Sequence, residues 1–162
     1  MRLNVRDARS EDAAALIANN SAMARETEGK TLDPHRIGPG VAKMLADESL
    51  GRYWVAESDG TVVGQIMVTY EWSDWRNGNL WWIQSVYVHP DWRRKGVFTA
   101  LYRHVESRAA AEPEAIGLRL YVEENNTRAQ QTYTTLGMLK PGYVVMEALF
   151  GDAAAHEEER NA

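Results

Sequence analysis

Residues 93–98 read RRKGVF, three cations and a glycine set between a strand-like run and a helix-like one. A helix begins with backbone N–H groups that have no partner inside the helix, and its dipole places partial positive charge at the same end. Such a start binds an anion where the preceding loop lets the ligand come close. Gly96 permits that approach. Arg93, Arg94 and Lys95 add charge, a guanidinium gripping phosphate through two hydrogen bonds and a lysine acting as a point charge. The competing reading is a solvent-exposed cationic corner after a strand. Neither G-x-x-x-x-G-K-[ST] nor G-x-G-x-x-G occurs, which sets aside a P-loop and a dinucleotide fingerprint.

Other chemistries are narrowed by what the chain lacks. Cysteine is absent from the 162 residues, which removes disulfides, thiolate nucleophiles and cysteine metal sites together. His35, His89, His104 and His156 are far apart and do not have the close spacing of a helical zinc pair, so no metal is expected. A net charge of -5 argues against nucleic acid and leaves a small anion as the partner of the basic turn. No apolar run approaches the ~20 residues of a membrane helix, and MRLNVRDARS has charges where a secretory signal has an apolar block. The reading is a cytoplasmic protein with no membrane partner. At 44% hydrophobic and 25% charged residues the composition is globular, and a chain of this length buries roughly 70% of its unfolded surface.

The elements that hold the turn can be traced by periodicity. Leu3 and Val5 share one face of a strand over 2–8, and Ser10 with Glu11 and Asp12 provides an N-cap and an acidic first turn for a helix over 11–25. Ala13, Leu16, Ile17, Met23 and Ala24 recur at helical spacing there. TEGKTLDPHRIGPG then reads as loop, followed by a short helix over 40–48 with Val41, Met44 and Leu45. RYWVAE and TVVGQIMVTY are strands joined by SDG, whose Asp-Gly pair suits a tight hairpin. After a loop, EWSDWRNGN, the run LWWIQSVYV is apolar on nearly every position, as in a central strand covered on both faces, and Pro90 ends it.

Val97, Leu101 and Val105, widened by Phe98 and Tyr102, predict a helix over 95–111 lying on the sheet. IGLRLYV alternates as a strand over 116–122, and a helix over 126–136 closes at Gly137. The segment 151–162, rich in acids and without apolar periodicity, reads as a disordered tail behind one α/β (α+β) domain over 1–150. Its sheet is antiparallel at first, with a parallel crossover in the second half.

RRKGVF resembles the R-x-x-G-x-G/A pattern of the GNAT acetyltransferase superfamily at Arg93 and Gly96, with Phe98 where glycine or alanine is usual. The wider SVYVHPDWRRKGVFTALYRHV is similar to that superfamily's long acetyl-CoA motif. YVEENNTRAQQTYTTLGM is similar to its downstream signature N-x-x-A-x-x-x-Y-x-x-x-G-[FM], filled by Asn126, Ala129, Tyr133, Gly137 and Met138. The two motifs stand in the right order, and the element order over 2–150 agrees.

The resemblance implies a GNAT-type acyl-CoA N-acyltransferase fold, its mixed sheet splayed between the strands at 80–88 and 116–122 and flanked by helices. It implies acetyl-CoA as cofactor and direct acetyl transfer to a primary amine of a small molecule or peptide in a ternary complex. The backbone of Val86, Tyr87 and Val88 would pair with the pantetheine arm. The N–H groups of Arg94, Lys95, Gly96, Val97, Phe98 and Thr99 would hold the diphosphate with Arg93 or Arg94 beside it, while Phe98 turns toward Leu101 and Tyr102. Asn126 and Ala129 would line the cofactor arm, and Tyr133 would give the leaving thiolate its proton.

An alkylammonium must also lose a proton before it attacks. Glu71 is the candidate acceptor, its alternative being a solvated loop acid beside Arg76. Glu26, Glu28 and Asp33 lie in the region that, by the resemblance, faces the acceptor in this superfamily, where they would select a cationic amine; the alternative is three solvated loop acids. Trp72 and Trp75 wall the acceptor pocket or a homodimer contact. A non-catalytic acyl-CoA-binding sensor or assembly domain is the alternative function.

Overall fold

The computed structural model describes residues 2–153, in two compact units that divide between Tyr121 and Val122. In the first, five strands make one sheet in chain order: β1 (Leu3–Asp7), β2 (Arg52–Ser58), β3 (Thr61–Ser73), β4 (Gly78–Val88) and β5 (Ala115–Leu120). β1 to β4 pair antiparallel, and β5 joins β4 in parallel. The helices are α1 (Ala13–Glu28), α2 (Pro34–Ala46) and α3 (Val97–Ala111). This is the mixed, helix-flanked sheet anticipated from the periodicity.

Alternation along β2 separates two cores. Tyr53 and Val55 pack with Leu16 of α1 and Val41 of α2, surrounded by Ile17, Ile37, Met44 and Met67. Trp54 points the other way, since successive strand side chains face opposite sides. It stacks on Trp81 of β4 at 6.0 Å and meets His104 of α3 edge-on. α1 and α2 therefore cover one face and α3 the other, where Val97, Leu101 and Val105 are buried. Asp59 and Gly60 take the positive φ values, 49° and 79°, that the β2–β3 hairpin requires.

Several boundaries differ from expectation. Ser10 is not the cap of α1. Residues Ser10–Asp12 form a 3₁₀ turn, and the buried Asp12 carboxylate accepts the Arg9 N–H at 2.7 Å and both Arg6 Nη groups. α1 runs on to Glu28, which moves Glu26 and Glu28 from a loop into its last turn. α2 begins at Pro34 and not near 40, because Asp33 caps it through the His35 N–H and proline suits the first helical position; Pro39 lies inside it. The loop over 71–79 is mostly strand, β3 continuing to Ser73 and β4 starting at Gly78. β5 stops at Leu120.

α1 is also held to the sheet by amides. Gln65 of β3 is fully buried, accepting from Asn19 Nδ2 at 2.9 Å and donating to Asn20 Oδ1 at 3.2 Å. Asn20 Nδ2 in turn donates to the Tyr53 hydroxyl. Burial alone pushes the Tyr53 phenol up, and the Asn20 bond opposes this. A polar residue on the buried stripe is invisible to a hydrophobic pattern.

The second unit carries α4 (Thr127–Thr135). Asn126 caps it, its side-chain oxygen accepting the Ala129 N–H at 3.1 Å. Gln130 Nε2 donates to the Glu123 and Glu124 carbonyls. The turn closes with the N–H of Met138 on the Tyr133 carbonyl. Residues 138–150 carry no helix or strand, and Leu139, Tyr143, Val144 and Met146 are exposed. Most of the expected tail over 151–162 lies outside the described residues.

Candidate functional site

The site is built where β4 parts from β5. The parallel pairing runs from Asn79↔Ala115 to Ile83↔Leu120 and goes no further. On its other edge β4 stays paired with β3 up to Gly64↔Val88. Between Met67↔Ser85 and Val68↔Ile83 the register slips by one, which makes Gln84 the extra residue of a bulge. A bulge bends its strand and increases the local twist, and this one lies one residue past the last β4–β5 pair, Ile83↔Leu120. Ser85, Val86, Tyr87 and Val88 thus keep β3 on one side and have no β5 register on the other. The Ser85 hydroxyl on this stretch is buried, with no hydrogen-bond partner among the described residues.

The chain leaves β4 through a 3₁₀ turn at Pro90–Trp92 and reaches the basic turn. Arg94 and Gly96 both have positive φ, 58° and 81°. Successive N–H groups in such mixed conformations form an anion-binding concavity. α3 starts at Val97 with Gly96 as its N-cap and, among the described residues, no side-chain cap. Fifteen residues of helix dipole thus end at N–H groups of Val97, Phe98 and Thr99 that no capping side chain covers. A Cβ on Gly96 would meet no atom within 4 Å, so the space over the turn is open. Lys95 Nζ lies 5.3 Å over the Trp92 ring, and Arg94, Lys95 and Thr99 are exposed. The residues present fit a diphosphate, and the exposed cationic corner of the competing reading is this same surface.

Phe98 turns as expected, stacking on Tyr102 with ring centroids 6.3 Å apart. Tyr102 is buried, and desolvation pushes its phenol up. The large side chain where a small one is usual is thereby taken up along α3.

Arg93, although exposed, folds back onto the protein. Its Nε donates to the Val88 carbonyl at 3.0 Å, its Nη2 to Glu26 Oε2 at 2.5 Å, and its guanidinium lies 5.7 Å from the Tyr87 ring centre. The Tyr87 hydroxyl donates to the other Glu26 oxygen at 3.3 Å. Desolvation pushes the Tyr87 phenol up, and the Glu26 charge adds to this while Arg93 opposes it. Glu26, named from the sequence for the acceptor, and Arg93, named for the cofactor, therefore form one cluster. Glu28 stands apart, paired with Lys30 at 3.6 Å on the surface.

Glu71 is an anchored carboxylate on β3. The Trp82 indole N–H donates to Oε2 and Arg119 Nη1 to Oε1 at 3.0 Å. Its partner is thus Arg119 of β5, a residue with no local sequence signal because the pairing depends on β3, β4 and β5 lying side by side. Tyr121 sits against Trp82, centroids 4.4 Å apart. Trp72, 53% exposed, is on β3, and Trp75, 92% exposed, is on the turn beyond it, while Trp81 is core. A separate cavity of about 180 Å³, lined by Glu48, Arg52, Tyr70, Asn79, Trp81, Glu112 and Glu114, lies at the start of β4, whereas the basic turn follows its end. Asn126, Ala129 and Tyr133 belong to the second unit, the first two joined by the cap of α4. Among the described residues no group of three or more metal-ligating side chains occurs, and no helix is long and apolar enough to cross a membrane.

Residues 19–138 match the model of the acetyltransferase (GNAT) family. Among solved structures, the chain is similar to a "possible acetyltransferase" from Clostridium difficile 630 at 43% identity and TM-score 0.87, covering 93% of this chain and 99% of that one. It also superposes on a ribosomal-protein-alanine N-acetyltransferase from Brucella melitensis biovar Abortus 2308, at 17% identity, TM-score 0.73, and 93% and 100% coverage. A third is an aminoglycoside acetyltransferase from an uncultured soil metagenomic sample, in complex with sisomicin, at 14% identity, TM-score 0.73, and 93% and 97% coverage. These last two show the fold alone. A search of curated proteins finds no significant match.

Proposed function

The chain belongs to the acetyltransferase (GNAT) family, and from that premise we propose that it is an acetyl-CoA-dependent N-acetyltransferase acting directly on a primary amine of a small molecule or peptide. One observation carries the reading: the edge of β4 beyond Ile83 has no β5 pairing and leads, through the turn at Pro90–Trp92, to a glycine-headed start of α3 with no side-chain cap among the described residues. An extended amide-bearing arm finds strand-like hydrogen bonds on the first, and a diphosphate finds amides and cations on the second.

Acetyl-CoA supplies an activated acetyl thioester. The backbone of Val86, Tyr87 and Val88 would hold its arm. The amides of Arg94 to Thr99, with the charges of Arg93, Arg94 and Lys95, would hold its diphosphate. Glu71, kept in place by Trp82 and Arg119, would accept the proton that an alkylammonium sheds before it attacks. Tyr133, by its place in the family signature, would hold the proton that the departing sulfur takes. Asn126 and Ala129 belong to the same signature. Glu26, Trp72 and Trp75 are proposed for the acceptor side. We propose further that both units form one catalytic domain over 1–150, that the protein works in the cytoplasm, and that it forms a homodimer.

Titration of CoA against the intrinsic tryptophan fluorescence tests cofactor binding, and release of free CoA from acetyl-CoA across a panel of amines tests turnover. Tyr133→Phe is expected to lower kcat by about 100-fold or more and leave the CoA dissociation constant unchanged. A protein that does not bind CoA refutes the reading; binding without turnover on any amine refutes the enzyme.

A further inference from the structure

The contact between α1 and the basic turn has no role in the reading above. Glu26 is placed to bridge two groups of the candidate cofactor site at once. One of its oxygens faces the Arg93 guanidinium at 2.5 Å and the other the Tyr87 hydroxyl at 3.3 Å. Arg93 is the first residue of the basic turn, and Tyr87 belongs to the stretch of β4 that has left β5. The guanidinium is also tied to the Val88 carbonyl. Glu26 thus holds Arg93 through a single oxygen, a charge-assisted contact on Nη2 of the kind that a phosphate oxygen would make. Both side chains border solvent, Arg93 45% and Glu26 39% exposed, so the pair can open.

We propose that Glu26 is a positioning residue that acts as an internal competitor for the diphosphate of the cofactor: its carboxylate occupies Arg93 in the empty protein and yields the guanidinium when the anion arrives. This rests on the acetyl-CoA reading above. The release frees a carboxylate at the end of α1, so the two events are linked and must be reciprocal. Whatever holds Glu26 on Arg93 weakens CoA, and CoA bound at Arg93 makes Glu26 available to a cation.

The cost that Glu26 imposes is that of breaking a solvent-bordered ion pair, which corresponds to about two- to fivefold in affinity. Glu26→Gln keeps the size and an accepting oxygen but removes the charge. The CoA dissociation constant of this variant, measured by tryptophan fluorescence, is expected to fall about two- to fivefold, with a smaller gap at 1 M salt. In an Arg93→Gln background the same replacement is expected to change nothing, a coupling that a merely structural role for Glu26 would not produce. Unchanged or weaker CoA binding by Glu26→Gln overturns the proposal while leaving the acetyl-CoA reading standing. Tighter binding that persists in the Arg93→Gln background also overturns it, because the effect then does not pass through Arg93. Absence of CoA binding by the wild type removes both.

Discussion

The clamp at the head of α1 makes a quantitative prediction for Arg6→Ala. Arg6 of β1 gives Nη1 and Nη2 to the two oxygens of Asp12, at 2.8 and 3.0 Å, and Nε and Nη2 to Glu57 of β2, at 2.9 and 2.6 Å. The Asp12 side chain is 6% exposed and that of Arg6 18%. Truncating Arg6 leaves the Asp12 carboxylate buried with only the Arg9 N–H. Breaking a buried pair in this way costs about 3–5 kcal/mol, and the nearby solvent at Glu57, 26% exposed, places this one at about 3 kcal/mol. With a urea slope of roughly 1–3 kcal/mol/M the unfolding midpoint falls by at least about 1 M. Urea titration followed by tryptophan fluorescence reads this directly.

The sign with pH follows from the same contacts. The Arg6 hydrogen bonds hold the Asp12 carboxyl below its ordinary value of 3.8, against the opposing effect of burial. A depressed folded value means stability that is fully present above the unfolded value and lost as pH falls through the folded one. The gap between wild type and Arg6→Ala is therefore widest near neutrality and narrows below about pH 4. The double replacement Arg6→Met with Asp12→Leu is expected to recover part of the loss, since no charge is then left buried. A gap under about 1 kcal/mol at pH 7, or one that stays constant down to pH 2, refutes the reasoning.

Two further replacements probe the turn. Gly96→Ala meets no atom but must hold φ at 81°, so thermal unfolding is expected to show a loss of about 1–2 kcal/mol from backbone strain alone. The new methyl stands in the open space above the turn, and CoA titration is expected to weaken at least about tenfold. An unchanged dissociation constant would move the cradle away from Gly96. Phe98→Ala removes the ring stacked on Tyr102 and is expected to cost about 1–2 kcal/mol in the same unfolding assay. CoA binding is expected to stay within about twofold because backbone groups form the cradle; a large loss would give the ring itself a part in binding.

Local rules sufficed where the physics is local. The period-2 and period-3.6 patterns located the strands and helices of the first unit, the Asp-Gly pair located the β2–β3 hairpin, and the basic, glycine-headed turn located the start of α3, because each depends on residues a few positions apart. The motif resemblance added the family and the opening between two strands. Legibility ended at boundaries set by competition. Asp12, not Ser10, stands at the head of α1, its carboxylate turned to Arg6 and the Arg9 N–H and making no side-chain cap on that helix, and Asp33 with Pro34 started α2 early.

What tertiary structure alone decided was which side chains meet. The bulge at Gln84 arises from the register of β3 against β4, and no feature of IQS announces it. Glu71 meets Trp82 and Arg119 only because three strands stack in order. Glu26 and Arg93, 67 positions apart in the chain, meet only because α1 crosses the end of β4. Side-chain type and spacing record what a segment can form by itself. Pairing between distant segments depends on how the sheet orders them, and that order is a property of the whole fold.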